Sequence, residues 1–255
     1  MLKAKTVIIS GASRGIGRAI ALRCAEDGAN VGILARSGYS PSHSTLQGTL
    51  EEVAREVESR GGTPFIMRID LKDVKKTRDD VNSILSRFGT IDAVVNNASA
   101  IYIDKTPSMD KFNTMFDINV RGTLNMILSS YKELQKSDIG HVLSISPPLS
   151  KCNTSWLHNH PPYSASKYAM TMITLGYSDA LKANTLWPQK LIKTAATKML
   201  EEKTGVQGYS RGGSPYRFAS VAKNILCSDL TGFSGTDFDI EPNSVDENGI
   251  DDIFI

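Results

Sequence analysis

A tyrosine and a lysine stand four residues apart in Tyr163-Ser164-Ala165-Ser166-Lys167. On a helix, that spacing places both side chains on one face. An ammonium about 4 to 6 Å from a phenol favours the phenolate, typically by roughly 1 to 3 units from an ordinary value near ~10. A phenol lowered in this way could trade protons near neutral pH as a general acid and base. Taken alone the spacing is a weak signal, because an aromatic and a charge on a helix surface produce it often. Its meaning depends on what the rest of the chain brings to the same place.

A second stretch with chemical potential is Gly11-Ala12-Ser13-Arg14-Gly15-Ile16-Gly17. It follows the β-branched run Thr6 to Ser10 and leads into a helix-period stretch, Arg18 to Glu26, stopped by Asp27-Gly28. Glycines let the backbone approach a phosphate closely, and a following helix offers unpaired N–H groups and the positive end of its dipole. Gly-x-x-x-Gly-x-Gly is looser than the standard dinucleotide fingerprint, but a strand before it and a helix after it favour nucleotide binding over a packing turn. An NAD site usually carries an acidic residue about 20 residues beyond the glycines. Here none lies between Val31 and Leu50, whereas Arg14 sits in the turn and Arg36 ends the second strand. Two guanidiniums suit a 2′-phosphate, which they grip by forked, charge-assisted hydrogen bonds. NADP(H) is therefore expected ahead of NAD.

Positioning these groups requires a sheet, and the chain alternates accordingly. After the strands Thr6 to Ser10 and Ala29 to Ala35 come a loop, Ser37 to Gly48, and a helix, Thr49 to Arg60. Strand-like Pro64 to Ile69 ends at Asp70, helical Val74 to Phe88 ends at Gly89, and strand-like Ile91 to Val95 ends at Asn96-Asn97. Met109 to Lys136 reads as helical, broken at Gly122. His141 to Ser146 reads as a fifth strand, and the helix with Tyr163 and Lys167 runs to about Lys182. A sixth strand belongs at Ala183 to Leu186, where one long apolar side chain makes it thin. Ser214 to Ser228 reads as a helix and Thr236 to Ile240 as a short edge strand. With no internal repeat and no linker, the expected fold is α/β, a single doubly wound Rossmann-type parallel sheet with helices on both faces. One domain spans 1–255, with the acidic tail from about 242 loosely held. Ligands of such sheets bind beyond the carboxyl ends of the strands, which makes Gly11 to Gly17, Arg36, Asp70, Asn96-Asn97 and Ser144 to Ser146 expected neighbours.

Composition excludes some functions. The 255 residues are 40% apolar and 22% charged, ordinary for a globular protein, and the net charge of +2 is dispersed, giving no support for nucleic-acid or anionic-membrane binding. Cys24, Cys152 and Cys227 lack metal-ligand spacing and read as reduced thiols. His158 and His160, near Trp156, read as a solvated loop, and without a carboxylate partner they make a poor metal site, so no metal is expected. Tyr131 and Tyr177 read as core. No apolar run reaches the ~20 residues of a membrane span. The N-terminus enters a strand at once and the end, Asp-Asp-Ile-Phe-Ile, is no peroxisomal tail, so a soluble intracellular protein is expected.

Ser10-Gly11-x-x-x-Gly15-x-Gly17, Asn96-Asn97-Ala98, a mid-helix Asn119 and Tyr163-x-x-x-Lys167 occur in the order and at the spacing of the short-chain dehydrogenase/reductase family, over roughly residues 5 to 195. Gly-Ala-Ser-Arg-Gly-Ile-Gly, Asn-Asn-Ala-Ser-Ala-Ile, Ile-Ser-Pro-Pro-Leu and Leu-Trp-Pro followed by Thr-Ala-Ala resemble its hydroxysteroid dehydrogenase-like branch. That branch is associated with peroxisomes, mitochondria and lipid metabolism, and its members often carry a C-terminal sterol-carrier-like domain; none is expected within these 255 residues. The resemblance implies an NADP(H)-dependent oxidoreductase that interconverts a carbonyl and a secondary alcohol on a lipid-like or steroid-like small molecule, and a homo-oligomer.

Under that resemblance Tyr163 is the proton donor and acceptor, Lys167 lowers its pKa and holds the nicotinamide ribose, and Asn119 supports a proton-relaying water. Gly11, Ser13, Arg14, Gly15, Ile16, Gly17 and Arg36 face the cofactor phosphates, Asp70 meets the adenine, Asn97 and Ala98 line the floor, and Thr194 approaches the carboxamide. One departure matters. The family's serine after the fifth strand falls at Pro147, which has neither hydroxyl nor N–H. Three readings stand: Ser146, one residue early and facing the other way if the strand continues; Ser150, thirteen residues before Tyr163 in a lengthened loop; or no serine. The loss also motivates an alternative, a catalytically weakened dinucleotide-binding module that acts through cofactor-dependent association.

Overall fold

The structure is a computed structural model and describes residues 1–36, 48–151, 154–205 and 207–237. Among the described residues seven strands form one sheet: β1 (Thr6–Ser10), β2 (Asn30–Ala35), β3 (Thr63–Arg68), β4 (Ala93–Asn96), β5 (His141–Ile145), β6 (Lys182–Trp187) and β7 (Ser234–Thr236). Their order is β3-β2-β1-β4-β5-β6-β7, with every pairing parallel. The order reverses between β1 and β4, and that switch point opens the crevice in which doubly wound sheets bind ligands.

Helices cover both faces. α1 (Gly15–Glu26), α2 (Leu50–Ser59) and α9 (Pro215–Leu226) lie on one side, against Val7, Ile9, Val95 and Leu143. α3 (Val74–Phe88) and α5 (Thr123–Lys136) lie on the other, against Ile8, Val94 and Val142. Alternate residues of one strand thus feed opposite cores, as the two-residue period of a strand dictates, and a strand buried on both faces has to be apolar throughout. All five residues of β1 are buried, and so are all five of β5. At the edge, β3 buries Met67 alone.

Local signals set several boundaries. α3 starts at Asp73, whose side chain accepts from Lys76 N, and stops at Gly89 in the left-handed conformation. α2 starts with a capping box between Thr49 and Glu52. In the Met109–Lys136 stretch, α4 (Met109–Met115) passes through a π-helical segment, Phe116–Gly122, into α5, a departure from the expected single break at Gly122. Between α4 and β6 the chain adds a 3-10 turn (Leu149–Lys151), α6 (Thr154–Asn159) and α7 (Pro161–Leu175).

The helix carrying Tyr163 and Lys167 therefore ends at Leu175, seven residues before the expected Lys182. The apolar spacing that suggested continuation belongs to Tyr177 and Leu181, which reach the core from a turn; the Tyr177 and Tyr131 rings meet at 5.8 Å. That turn gives the chain room to reverse into β6. The helix α8 (Ala195–Thr204) was not legible beforehand; Thr194 caps it through Thr197. The expected edge strand begins earlier, at Ser234, while 238–240, the tail from about 242, Cys152 and most of the Ser37–Gly48 loop lie outside the described residues.

The sixth strand is thin in apolar residues because its polar ones join it to the edge. Asn184, fully buried, donates to Leu230 O at 2.8 Å and accepts from Phe233 N at 2.9 Å, and the Thr185 and Ser234 hydroxyls bond at 2.7 Å. Asn184→Ala strands a carbonyl and an N–H together, and should lower the unfolding free energy by roughly 2 kcal/mol. Urea unfolding of the purified chain checks this, and an unchanged midpoint would remove β6–β7 docking from the account.

Candidate active site

Strand β1 delivers Gly11 with φ +68, a conformation that side chains other than glycine adopt with strain. A Cβ there would sit 2.9 Å from Ala98 Cα, and one on Gly17 would sit 2.4 Å from Gly11 O. The turn is held by Asn97, whose amide donates to Ser10 O at 2.9 Å and Gly11 O at 3.1 Å. In return, the Ser10 hydroxyl accepts from Asn97 N and Ala98 N, each at 3.1 Å. The ends of β1 and β4 are thus clipped together at the switch point, with the start of α1 above them. No acidic residue occupies the first turn of α1, and Arg14, at its N-cap, forms no side-chain cap bond. Its N–H groups and dipole suit an anion.

Two guanidiniums stand beside that turn. Burial, and then the charge of Arg36, hold Arg14 below the ordinary arginine range, so the two side chains are electrostatic neighbours. Arg36 itself is exposed. Asp70 is exposed beyond β3 and accepts from Lys72 N at 3.0 Å. Thr194 crosses over the glycine turn: a Cβ on Gly15 would lie 3.2 Å from its Cγ2. Its hydroxyl is committed to the α8 cap, where it accepts from Thr197 N at 3.3 Å. Ser13 is buried and Ile16 half-buried on the same turn.

Tyr163 and Lys167 both lie on α7 and both are buried. The expectation that the lysine lowers the phenol is corrected here. Burial pushes Tyr163 up to about 12, an effect that the nearby Ser99 side chain opposes. Lys167 Nζ is turned elsewhere: it donates to Ile145 O at 2.6 Å, approaches Met170 Sδ at 3.4 Å, and lies 5.5 Å from the Trp187 ring centre. Carbonyl and aromatic face stabilise a cation without an opposing charge. Burial also pushes Lys167 down to about 7.

Asn119 lies in the π-helical segment, fully buried, and acts through its amide. It accepts from Ala100 N at 2.8 Å and donates to Ala100 O at 3.1 Å and to Ser166 Oγ at 3.0 Å. Ser166 in turn donates to Tyr163 O at 2.7 Å. The segment after β4 and the turn of α7 carrying Tyr163 are thereby joined. His160 reinforces the join, its Nδ1 2.6 Å from Ile103 O, although the sequence placed it in a solvated loop.

The candidate serines separate clearly. Ser146 is fully buried, and its hydroxyl accepts from Thr171 Oγ1 at 2.8 Å, two turns along α7 from Tyr163. Ser150 is exposed on the 3-10 turn. Pro147 lines a cavity of about 470 Å³, with Tyr163, Lys167, Trp187 and Leu191, most of its surface apolar. Ser164 lines it too, with a buried hydroxyl that has no partner among the described residues. A cavity of that size suits a small organic ligand. A second hollow of about 390 Å³, lined by Lys3, Asp92 and Asp138, lies at the opposite, amino-terminal end of the strands. Among the described residues no group of three His, Cys, Asp or Glu could hold a metal, and no helix is long and apolar enough to cross a membrane.

Ser10, Ser99, Ser166 and Trp187 were absent from the candidate residues. Ser99 and Trp187 stand just beyond or at strand carboxyl ends, the one signal that could have found them.

A parallel sheet in this order, a glycine turn at its switch point and a buried tyrosine and lysine over one cavity define a dinucleotide-type oxidoreductase site. A family model described as short chain dehydrogenase matches residues 5–203, and the chain belongs to that family, the short-chain dehydrogenases/reductases. It is 39% identical over 256 residues to hydroxysteroid dehydrogenase-like protein 2 of Xenopus laevis, an alignment that covers 97% of this chain and 59% of that relative. The chain therefore spans less than two thirds of that protein's length. Among solved structures it is similar to a short chain dehydrogenase of Mycobacterium thermoresistibile (36% identity, TM-score 0.85, covering 94% of this chain and 87% of that one). A Xanthomonas campestris structure described as a dehydrogenase is likewise similar (34% identity, TM-score 0.86, covering 94% and 89%).

The lowered lysine has a stability consequence. Below about pH 7 the folded and unfolded chains are both protonated at Lys167, and folding carries the full cost of burying the ammonium. Between about 7 and the ordinary value of 10.5, the folded chain has shed a proton that the unfolded chain keeps, so this cost is relieved as pH rises. Lys167→Met should be more stable than the parent near pH 6, with the advantage shrinking towards about pH 9. Urea midpoints across that range check it, and a constant difference would refute a buried ammonium.

Proposed function

We propose that the chain is an NADP(H)-dependent oxidoreductase that interconverts a carbonyl and a secondary alcohol on a lipid-like or steroid-like small molecule. The observation that carries this reading is the burial of Tyr163 and Lys167 on one mostly apolar cavity beyond the strand ends. Its walls offer little to a strongly polar substrate and suit an apolar one.

The residues present fit a phosphorylated dinucleotide. Gly11, Ser13, Arg14, Gly15, Ile16 and Gly17 would hold its pyrophosphate at the start of α1, and Arg14 with Arg36 would take the 2′-phosphate. Asp70 would meet the adenine, Asn97 and Ala98 would form the floor, Lys167 would hold the nicotinamide ribose, and Thr194 would lie near the carboxamide. When bound, the cofactor supplies or accepts the hydride. In reduction Tyr163 gives its O–H proton to the carbonyl oxygen; in oxidation the phenolate takes it back. Lys167, with a value near neutrality, can replace that proton. Asn119 holds the segment after β4 and the turn of α7 that bears Tyr163 in register.

Copies of the chain would associate through the helices around Asn119 and Tyr163, where Leu128 and Met172 are exposed. A second reading, a weakened module that binds cofactor without turnover, is favoured by one observation: Pro147 stands where the family's serine would be.

Tyr163→Phe should lower NADPH-dependent reduction of apolar ketones by ~10²–10⁴ while leaving NADPH binding intact. A steady-state panel of ketones, with cofactor titration by fluorescence, checks this. Turnover undiminished in the variant sinks the role of Tyr163, and tight binding without turnover by the parent selects the second reading. Arg36→Asp should move the ratio of kcat/KM for NADPH over NADH towards NADH; an unchanged ratio refutes the 2′-phosphate assignment.

A further inference from the structure

Beyond β6 the chain leaves the sheet, and Pro188, Gln189 and Leu191 line the cavity that Tyr163 and Lys167 also line. Gln189, Lys190 and Leu191 are exposed, so packing does little to fix this stretch of wall. Hydrogen bonds place it instead. Two come from the loop before α9: Gly213 N donates to Leu191 O at 2.7 Å, and Lys193 N donates to Gly213 O at 3.0 Å. Two further bonds come from the end of β7, where Thr236 is paired with Trp187. The Thr236 hydroxyl donates to Gln189 Oε1 at 3.2 Å, and Gln189 N donates to Asp237 Oδ1 at 2.9 Å. The second oxygen of Asp237 accepts from Arg217 Nη1 at 3.1 Å. Asp237 is 4% exposed and Arg217 9%, so this ion pair is buried.

Stability alone does not account for the pair. Two charges lose their hydration on burial, and apolar residues of similar volume often serve a core as well or better. Arg217 also stands in the first turn of α9, where the positive end of the helix dipole opposes a cation. What the pair supplies is direction: the guanidinium holds one carboxylate oxygen while the other meets Gln189 N. We infer that Asp237, anchored by Arg217, is a positioning residue for the substrate: it holds the stretch from Pro188 to Leu191 as a fixed wall of the cavity that Tyr163 shares. This deepens the oxidoreductase reading and rests on it. Apolar contacts are non-directional, so an apolar substrate is held by the shape of its cavity, and a wall that moves weakens its binding. The same wall begins at Trp187, whose ring centre lies 5.5 Å from Lys167 Nζ, so its placement also bears on the ammonium.

The test compares double variants that all remove the guanidinium and leave no unpaired buried charge. Arg217→Gln with Asp237→Asn keeps an acceptor for Gln189 N; Arg217→Met with Asp237→Leu, or with Asp237→Ala, removes it. Losing the acceptor should raise KM for an apolar ketone, acetophenone, about 10-fold over the variant that keeps it, the worth of one hydrogen bond, with kcat within about twofold. Hydrogen–deuterium exchange, read without substrate or cofactor, should be about 10-fold faster over residues 189–193 and alike over β1, β4 and β5. A merely structural defect would lower kcat through a smaller active fraction and leave KM unchanged, and an unchanged KM overturns the proposal. Equal exchange over 189–193 overturns it too, as does faster exchange spread through the sheet. If the parent chain reduces no ketone, the oxidoreductase reading fails, while exchange over 189–193 still decides whether Asp237 holds the wall.

Discussion

The ligand end of this molecule depends on a polar clip between two parallel strands. Where β1 and β4 diverge, each would leave unpaired backbone groups, and buried unpaired groups are costly. Ser10 and Asn97 settle that account together, one by a hydroxyl that accepts two N–H groups, the other by an amide that donates to two carbonyls. The glycine turn can then fold back tightly enough that a Cβ on Gly17 would collide with Gly11 O. The start of α1, the floor beneath it and the segment bearing Ser99 all inherit their positions from this clip.

A second set of bonds carries that order across the crevice. Asn119, in a π-helical segment, reaches Ala100 on one side and Ser166 on the other. π-segments widen a helix locally and re-aim its side chains, and they recur at functional sites. Here the widened turn lets one amide bridge two elements. The consequence is a phenol and an ammonium held in apolar surroundings without a carboxylate between them. Burial then moves them in opposite directions, Tyr163 up to about 12 and Lys167 down to about 7, because in each case the charged form is penalised. At pH 7, before any ligand enters, the phenol is thereby kept neutral and the lysine stands near the midpoint of its titration. The phenol begins protonated, as the proposed carbonyl reduction requires.

The far side of the site is built from a strand that looks poor by composition. Lys182 to Leu186 holds few apolar side chains, yet it pairs with β5 along its length. Asn184 and Thr185 direct their polar atoms at the segment leading into β7 and at β7 itself, so what reads as a weak core strand is a well-bonded next-to-edge strand. Its last residue, Trp187, contributes an aromatic face to Lys167 and a wall to the cavity.

Much of the fold was legible because its determinants are local. A β-branched run before a glycine turn, an Asp at Asp73 and a Gly at Gly89 around a helix, and alternating apolar patterns act over a few residues and survive in the one-dimensional chain. The sheet class, the family and the gathering of strand ends followed from them. Where elements stopped was harder: Tyr177 and Leu181 kept the helical apolar rhythm but fill the core from a turn. The chemistry of the site was decided by tertiary structure alone. Spacing places Lys167 on the same helix face as Tyr163, but whether the ammonium reaches the phenol depends on Ile145 O and Trp187, which come from other strands. Desolvation likewise sums over everything packed around a group, so its magnitude, and here its victory over the expected charge effect, is invisible along the chain. The family was a sequence matter; how the segment after β4 is tied to the turn bearing Tyr163 was settled by Asn119 and Ser166, contacts that exist only once the chain is folded.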